Sequence, residues 1–296
     1  MNGFDPKETA IVSVCIPVLN EAAHLPRLLM QLQAQRDVVL DIVIADGGST
    51  DGSMEALAPA VRVVTSARGR GAQMNAAARV ARGALLLFLH ADTQLDEPRL
   101  LADAVAALKA AQAEFEHDRV AGHFALRFER RQTGHALLFR YMEEKTALNR
   151  RGTINGDQGM LLPRAFFESL GGFDESRSFL EDQDLAERVF SSGRWVTLPG
   201  RLMTSARRFE SLGARRVYAF MALIMAARET GNRAFLEQAP ALYKRRRPDG
   251  RLDMGAIAAA WFNTHRGRFW PLVRYAAANA WQINFLIGIL TRRRDQ

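Results

Sequence analysis

Three short polar clusters interrupt apolar runs in the first third of the chain: Pro17-Val18-Leu19-Asn20-Glu21, Asp46-Gly47-Gly48-Ser49-Thr50-Asp51 and His90-Ala91-Asp92. A carboxylate such as Asp46 accepts hydrogen bonds from a ribose hydroxyl or a base imide, and Gly47 and Gly48 let a ligand approach the backbone. Asp92 offers the hard oxygen that Mg²⁺ or Mn²⁺ prefers, and such a cation neutralises diphosphate charge. Taken singly, Asp46-Gly47-Gly48 is also an ordinary turn, and Asp92 an ordinary helix cap. Their collection on one edge of a fold would favour the chemical reading.

The surrounding sequence supplies that edge. Ile11–Pro17, Val38–Ala45, Val61–Val64 and Ala84–Leu89 read as strands, apolar at nearly every position. Between them lie helical stretches: Glu21–Ala34, a short piece ending near Leu57, Gly71–Arg82 and Pro98–Ala113. Uniformly apolar strands alternating with helices imply a parallel sheet covered on both faces, with ligands beyond the carboxyl ends of the strands. All three polar clusters fall at such ends. From Val120 the pattern loosens into an α+β region. Strands are expected at Ala121–Phe128, Gln158–Leu162 and Trp195–Leu198, and helices at Pro163–Leu170 and Leu185–Ser191. An amphipathic helix through Val217, Phe220, Met221 and Ile224 ends near Gly231, and Lys244–Gly250 reads as a linker.

Composition narrows the class. The 296 residues are 48% hydrophobic and 24% charged, which suits a large packed core. One cysteine, Cys15, excludes a disulfide framework and a Cys-based metal site, and its apolar surroundings make it a core residue. The net charge is +8. Residues 243–296 hold eleven basic and three acidic side chains, so the whole excess sits in the tail. A neutral body argues against a nucleic-acid-binding core, and a basic tail points to a polyanionic partner such as an anionic membrane. The opening MNGFDPKETA lacks the pattern of a signal peptide, so a cytoplasmic location, at the inner face of the membrane, is expected.

The stretches CIPVLNEAAHL, DIVIADGGSTDGS, RGRGAQMNAAARVARGALLLFLHADT, GDQGMLLPRAFFESLGGFDE and FLEDQDLAERV, in that order, resemble the family 2 glycosyltransferases over about residues 11–210. Arg68 to Thr93 looks like a bacterial subgroup of that family. The resemblance implies a GT-A fold: a Rossmann-like, mostly parallel sheet with helices on both faces, here followed by a C-terminal helical extension. It implies transfer of a sugar from a nucleotide-diphosphate sugar, by default a UDP-sugar, to an acceptor hydroxyl, with inversion and a divalent metal (Mn or Mg).

Residue by residue, Pro17, Asn20 and Glu21 match the first nucleotide-binding loop, and Asp46, with Gly48, the part that reads base or ribose. Asp92 matches the second acid of the Asp-x-Asp metal motif. His90 stands where the first acid belongs, a softer ligand than the family pattern. Arg68 and Arg70 begin a helix whose N-terminus favours phosphate, and Gln73 and Asn75 are placed in the same donor pocket. Glu181-Asp182-Gln183-Asp184 matches the family's acidic pair at a helix start. Asp182 is the expected general base, with Asp184 as its alternative and Glu181 beside it. Asp157, Gln158 and Gly172 would line the acceptor side.

Two rivals are weighed. A sugar nucleotidyltransferase would open with a Gly-rich loop, which Pro17–Glu21 lacks. A catalytically inactive, membrane-associated nucleotide-sugar-binding scaffold is favoured only by His90. A catalytic domain at 8–232 and a basic helical extension at 233–296 are expected. Within the extension, Pro271–Leu290 is apolar but interrupted by Arg274, Asn279, Gln282 and Asn284. It packs against the protein or a dimer partner, lies on a membrane, or spans one. A lipid-linked acceptor is suggested by this tail alone.

Overall fold

The computed structural model describes residues 11–55, 57–177, 179–265 and 269–291. Seven strands form one sheet: β1 (Ile11–Val18), β2 (Val39–Asp46), β3 (Arg62–Thr65), β4 (Leu85–Phe88), β5 (Val120–Glu129), β6 (Met160–Pro163) and β7 (Arg194–Ser205). Their spatial order is β3-β2-β1-β4-β6-β5-β7, and only β6 runs antiparallel to its neighbours. Helices are α1 (Leu25–Gln33), α2 (Arg70–Val80), α3 (Leu100–Phe115), α4 (Ala136–Thr146), α5 (Arg164–Ser169), α6 (Glu181–Ser192), α7 (Arg207–Leu212), α8 (Ala214–Glu229), α9 (Arg233–Lys244), α10 (Met254–Thr264), α11 (Phe269–Ala278) and α12 (Trp281–Thr291).

β1 and β4 are buried on both faces, as interior strands of a parallel sheet require, while β3 at the edge is only partly covered. Alternate residues feed two cores. Val12, Val14, Ile16, Ile42, Ile44, Leu85 and Leu87 join the leucines of α1 and α3 on one face. Cys15, Val43, Ala45, Leu86 and Phe88 join α2, α5 and α6 on the other. Asp41 locks the far edge. It accepts Ser13 Oγ at 2.6 Å, Arg62 Nη2 at 2.6 Å and the Arg82 amide at 2.8 Å, tying three segments to β2.

Chain order puts β2 and β3 on one side of β1, and β4 on the other. The reversal between β1 and β4 is the crevice where open α/β sheets bind ligands.

Contacts divide the described chain into two compact units: residues 11–129 with Glu143–Ser205, and Arg130–Met142 with residues 206–291. The expected boundary at 232 falls inside the second unit, because α8 packs with the helices that follow it. Phe220 and Phe235 lie 6.3 Å apart, and Phe235 and Trp261 5.2 Å apart, at the heart of that unit. Asn232 caps α9 through the Phe235 amide, and Asp253 caps α10 through Gly255 and Ala256.

Several expectations are corrected. No helix forms among the described residues between Gly52 and Leu57; this stretch is turns. The first helix begins at Leu25 rather than Glu21, since the amides of Asn20, Glu21 and Ala22 bond to side chains of another loop. Residues 244–250 are a tight turn inside the second unit, closed by Gly250 N–H to Arg247 O at 2.9 Å, so they link no domains. The 271–290 stretch breaks at Asn279 into two short helices, and no helix among the described residues is long and apolar enough to cross a membrane. The opening ten residues and the arginines at 292–294 lie outside the described residues.

Candidate functional site

The loops after β1 and β2 are stitched to each other. Asn20 N–H donates to Ser49 Oγ at 3.0 Å, and Thr50 N–H to Asn20 Oδ1 at 2.8 Å. Glu21 N–H reaches Ser53 Oγ at 2.9 Å, and Ala22 N–H reaches Asp51 Oδ2 at 2.9 Å. Asn20 sits at φ 58°, a left-handed conformation that Asn tolerates better than most residues. Asp46 shapes the second loop from within, accepting Ser49 Oγ at 2.6 Å and the Ser49 amide at 3.0 Å. Gly48 is exposed and faces open space. Arg68 Nε donates to Gly47 O at 3.3 Å, so the start of α2 adjoins this rim. Asn20, Glu21, Asp46, Gly48 and Arg68 therefore belong to one connected surface.

Three expected donor residues lie beneath it instead. Pro17 is buried within β1, paired with Ala45. Gln73 is buried, and its amide nitrogen donates to Val18 O at 2.7 Å and Ala45 O at 2.9 Å, clasping the ends of β1 and β2. Asn75 is buried as well. It donates to Phe173 O and accepts the Phe173 amide, both at 2.9 Å, anchoring the loop before α6. These amides satisfy backbone groups that have no water to turn to.

A second cluster gathers around a single 3₁₀ turn, Gly156–Gln158. Asp182, in the first turn of α6, accepts the Gly156 amide on Oδ2 at 2.7 Å. His90 Nδ1 lies 2.6 Å from Asp157 Oδ1. A carboxylate only accepts, so Nδ1 carries the hydrogen, which in the neutral ring leaves a lone pair on Nε2. A Cβ on Gly156 would stand 3.2 Å from His90 Nε2 and 3.3 Å from Asp182 Oδ2, so glycine lets these two side chains converge.

Glu181, 3% exposed, lies beside them. Burial, and then the Asp182 charge, push its carboxyl above the ordinary range, against the pull of Arg70 and His90. Arg70 Nε is 3.6 Å from Glu181 Oε1. The approach to α2 and its first residue thus meet both clusters, Arg68 at Gly47 and Arg70 at Glu181.

The remaining expectations diverge. Asp184 is held between Arg177, at 3.4 Å, and Arg188, at 3.1 Å, a structural clamp rather than a poised base. Gln158 is fully buried and donates to Thr146 O at 2.8 Å while accepting the Asn155 amide at 2.8 Å. Gly172 lies at φ 70° with its Cβ position 2.8 Å from Asn75 Oδ1, so it serves the packing of that loop. Gly156 and the Arg70–Glu181 pair were given no role in the sequence. The only hint was the turn sequence Asn155-Gly156-Asp157.

The donor set can be tested against a divalent cation. Among the described residues no three His, Cys, Asp or Glu gather to hold one. Asp92, half-buried just after β4, and the His90 imidazole are the side chains whose chemistry would fit one. That suits a cation bound through one or two protein groups and completed by phosphate oxygens, not one caged by the protein.

Residues 13–171, more than half of the chain, match the sequence profile described as glycosyl transferase family 2. The chain belongs to that family. It is a glycosyltransferase of the GT-A fold by this membership, which sets the nucleotidyltransferase rival aside. A curated relative, the "PGL/p-HBAD biosynthesis glycosyltransferase" of Mycobacterium bovis, is 31% identical over 194 residues, 62% of this chain and 72% of that protein. The undecaprenyl-phosphate 4-deoxy-4-formamido-L-arabinose transferase of Aeromonas hydrophila is 37% identical over 106 residues, 32% of each protein.

Two solved structures share the fold. The mannosyltransferase PcManGT from Pyrobaculum calidifontis, in complex with GDP-Man and Mn²⁺, has a TM-score of 0.50 at 21% identity, covering 98% of this chain and 81% of that one. S. aureus TarS 1-349 in complex with UDP has a TM-score of 0.50 at 16% identity, covering 66% of this chain and 60% of that one.

Proposed function

We propose that the protein moves a sugar from a nucleoside-diphosphate sugar to an acceptor hydroxyl with inversion, using Asp182 as general base. The observation that carries this reading is the position of Asp182, held by Gly156 N–H beside the buried Glu181. Burial and the neighbouring Asp182 charge both favour a proton on Glu181. Asp182, held by the Gly156 amide, would take the proton of the acceptor hydroxyl as that oxygen attacks the anomeric carbon and the bond to the diphosphate breaks.

The donor nucleoside would sit on the rim of Asn20, Glu21, Asp46 and Gly48, with Arg68 toward its phosphates. Asp92 and His90 would hold a divalent cation, which supplies charge neutralisation of the leaving diphosphate when bound. Asp157 orients the imidazole for that role. UDP is the default nucleotide; GDP is the competitor, since PcManGT is complexed with GDP-Man.

Exposed Trp270 and Val273 of α11 and exposed Ile283, Ile287 and Leu290 of α12, together with the basic tail, support contact with an anionic membrane and so a lipid-linked acceptor. A second copy of the chain is the alternative occupant of that face.

The experiment is a thermal-shift titration with UDP-, GDP- and dTDP-sugars, with Mn²⁺, Mg²⁺ or EDTA, beside Asp92→Ala. A ligand that binds only the native state raises the melting temperature. A metal-dependent shift for one donor class, absent in the variant, is expected. No shift with any donor sinks the donor site. Binding without hydrolysis or transfer would favour the scaffold.

A further inference from the structure

The second unit carries an open cavity of about 210 Å³ that the transfer chemistry leaves unused. Its floor is apolar: Phe139 and Phe209, edge to face at 5.8 Å, with Ala214 alongside. Its walls are basic: Arg215, Arg216 and Arg251, with His135 beside them. Arg130 lies over the Phe139 ring at 5.3 Å and adds a fourth guanidinium nearby.

One carboxylate lines the cavity, and it is turned to another task. Glu210 Oε1 accepts the backbone N–H groups of Arg131 at 2.8 Å and Gln132 at 2.9 Å. Among the described residues, none of the three wall arginines is ion-paired; Arg216 Nη1 donates to Leu252 O at 3.1 Å. The sixteen-residue α8 starts at this wall after Gly213, which has no side chain to cap its first amides. Three arginines lining one cavity beside an uncapped helix start favour an anion with several oxygens.

We propose that this cavity binds a phosphate group carried on an apolar chain. Three guanidinium forks match a phosphate better than a carboxylate. The phenyl floor adds nothing for a bare ion but buries hydrocarbon next to the phosphate. This site stands whether or not the donor assignment on the sheet rim holds.

The test is isothermal titration of the full chain with farnesyl phosphate, inorganic phosphate and farnesol, each below its aggregation threshold. Farnesyl phosphate should bind at least ten times more tightly than the other two. Arg215→Ala with Arg251→Ala should weaken it at least tenfold. Both side chains are exposed, so the melting temperature should hold, and Phe209→Leu supplies a second variant that weakens farnesyl phosphate but not inorganic phosphate. Inorganic phosphate binding as tightly as farnesyl phosphate overturns the apolar half of the proposal. Unchanged affinity in the double-arginine variant overturns the whole. The same variants should keep their nucleotide-sugar thermal shifts, which separates failure here from failure of the donor site.

Discussion

Gly156 and Asp182 are joined by a 2.7 Å hydrogen bond from the Gly156 amide to Asp182 Oδ2, across twenty-six positions of sequence. A methyl group on Gly156 would press on both Asp182 and His90. Misplacing a reacting group by about 1 Å costs on the order of 100-fold in rate. Gly156→Ala is therefore expected to lower kcat by about 10- to 100-fold while donor affinity changes little. Asp182→Asn should lower kcat by about 10²- to 10⁴-fold with donor binding kept. Steady-state kinetics beside donor titrations check both; full activity in Asp182→Asn removes it as the base.

His90 owes its orientation to Asp157. Partners that orient a metal-ligating imidazole are worth about 10- to 100-fold in metal affinity. Asp157→Asn should raise the Mn²⁺ concentration needed for half-maximal activity by about that factor. An unchanged requirement would show that His90 is no ligand.

Glu181 carries a pH signature. Its carboxyl titrates higher in the fold than in the unfolded chain. Between those two values the native state binds more protons, so stability falls as pH rises. The melting temperature of Glu181→Gln should therefore exceed that of the parent increasingly as pH climbs from the ordinary carboxylate range toward neutrality. A gap that shrinks with pH contradicts the assignment. Asp41 carries the opposite sign. Burial opposes its ionisation, yet Arg62, Ser13 and the Arg82 amide together hold it below the usual range, so its contribution is lost as pH falls.

β1 and β4 were legible because they are almost wholly apolar, which two-sided burial explains, whereas the edge strand β3, RVVT, is only partly covered. The limits of α1 were not legible, because the amides of Asn20, Glu21 and Ala22 take partners about thirty residues away. β7 was read as four residues but spans twelve, running through Pro199, Gly200 and Arg201 past an irregular register with β5. α6 was expected from Leu185 but starts at Glu181, so the acids lie inside its first turn, where the helix dipole favours them. Gln73 and Asn75 were assigned to a ligand because polar side chains near a rim invite that reading. Whether such an amide meets a ligand or a backbone carbonyl depends on tertiary placement.

Gln73 gives a check on that correction. Gln73→Ala would leave Val18 O and Ala45 O without their donor in a dry site. A loss of about 1 to 3 kcal/mol in unfolding free energy is expected, measured by urea titration. A variant of undiminished stability would return Gln73 to the donor pocket.

The apolar face of α11 and α12 is testable with vesicles. Trp270→Ser with Ile287→Ser removes two exposed side chains without touching either core cluster of the sheet. Co-sedimentation with vesicles of anionic lipid should drop severalfold, and 0.5 M salt should weaken the parent's binding too. Salt-insensitive, variant-insensitive binding argues against this face.

Cys15 lies in the central strand β1, fully covered, with burial and then the Asp41 charge pushing its thiol up. It is also the chain's single cysteine. A folded molecule therefore presents no thiolate to an alkylating reagent, and every labelled molecule is one whose β1 has come away from its neighbours. The protein carries a built-in clock for opening of its core: labelling rate against denaturant or bound nucleotide sugar would report how firmly the sheet and its covering helices are held, with no engineered cysteine.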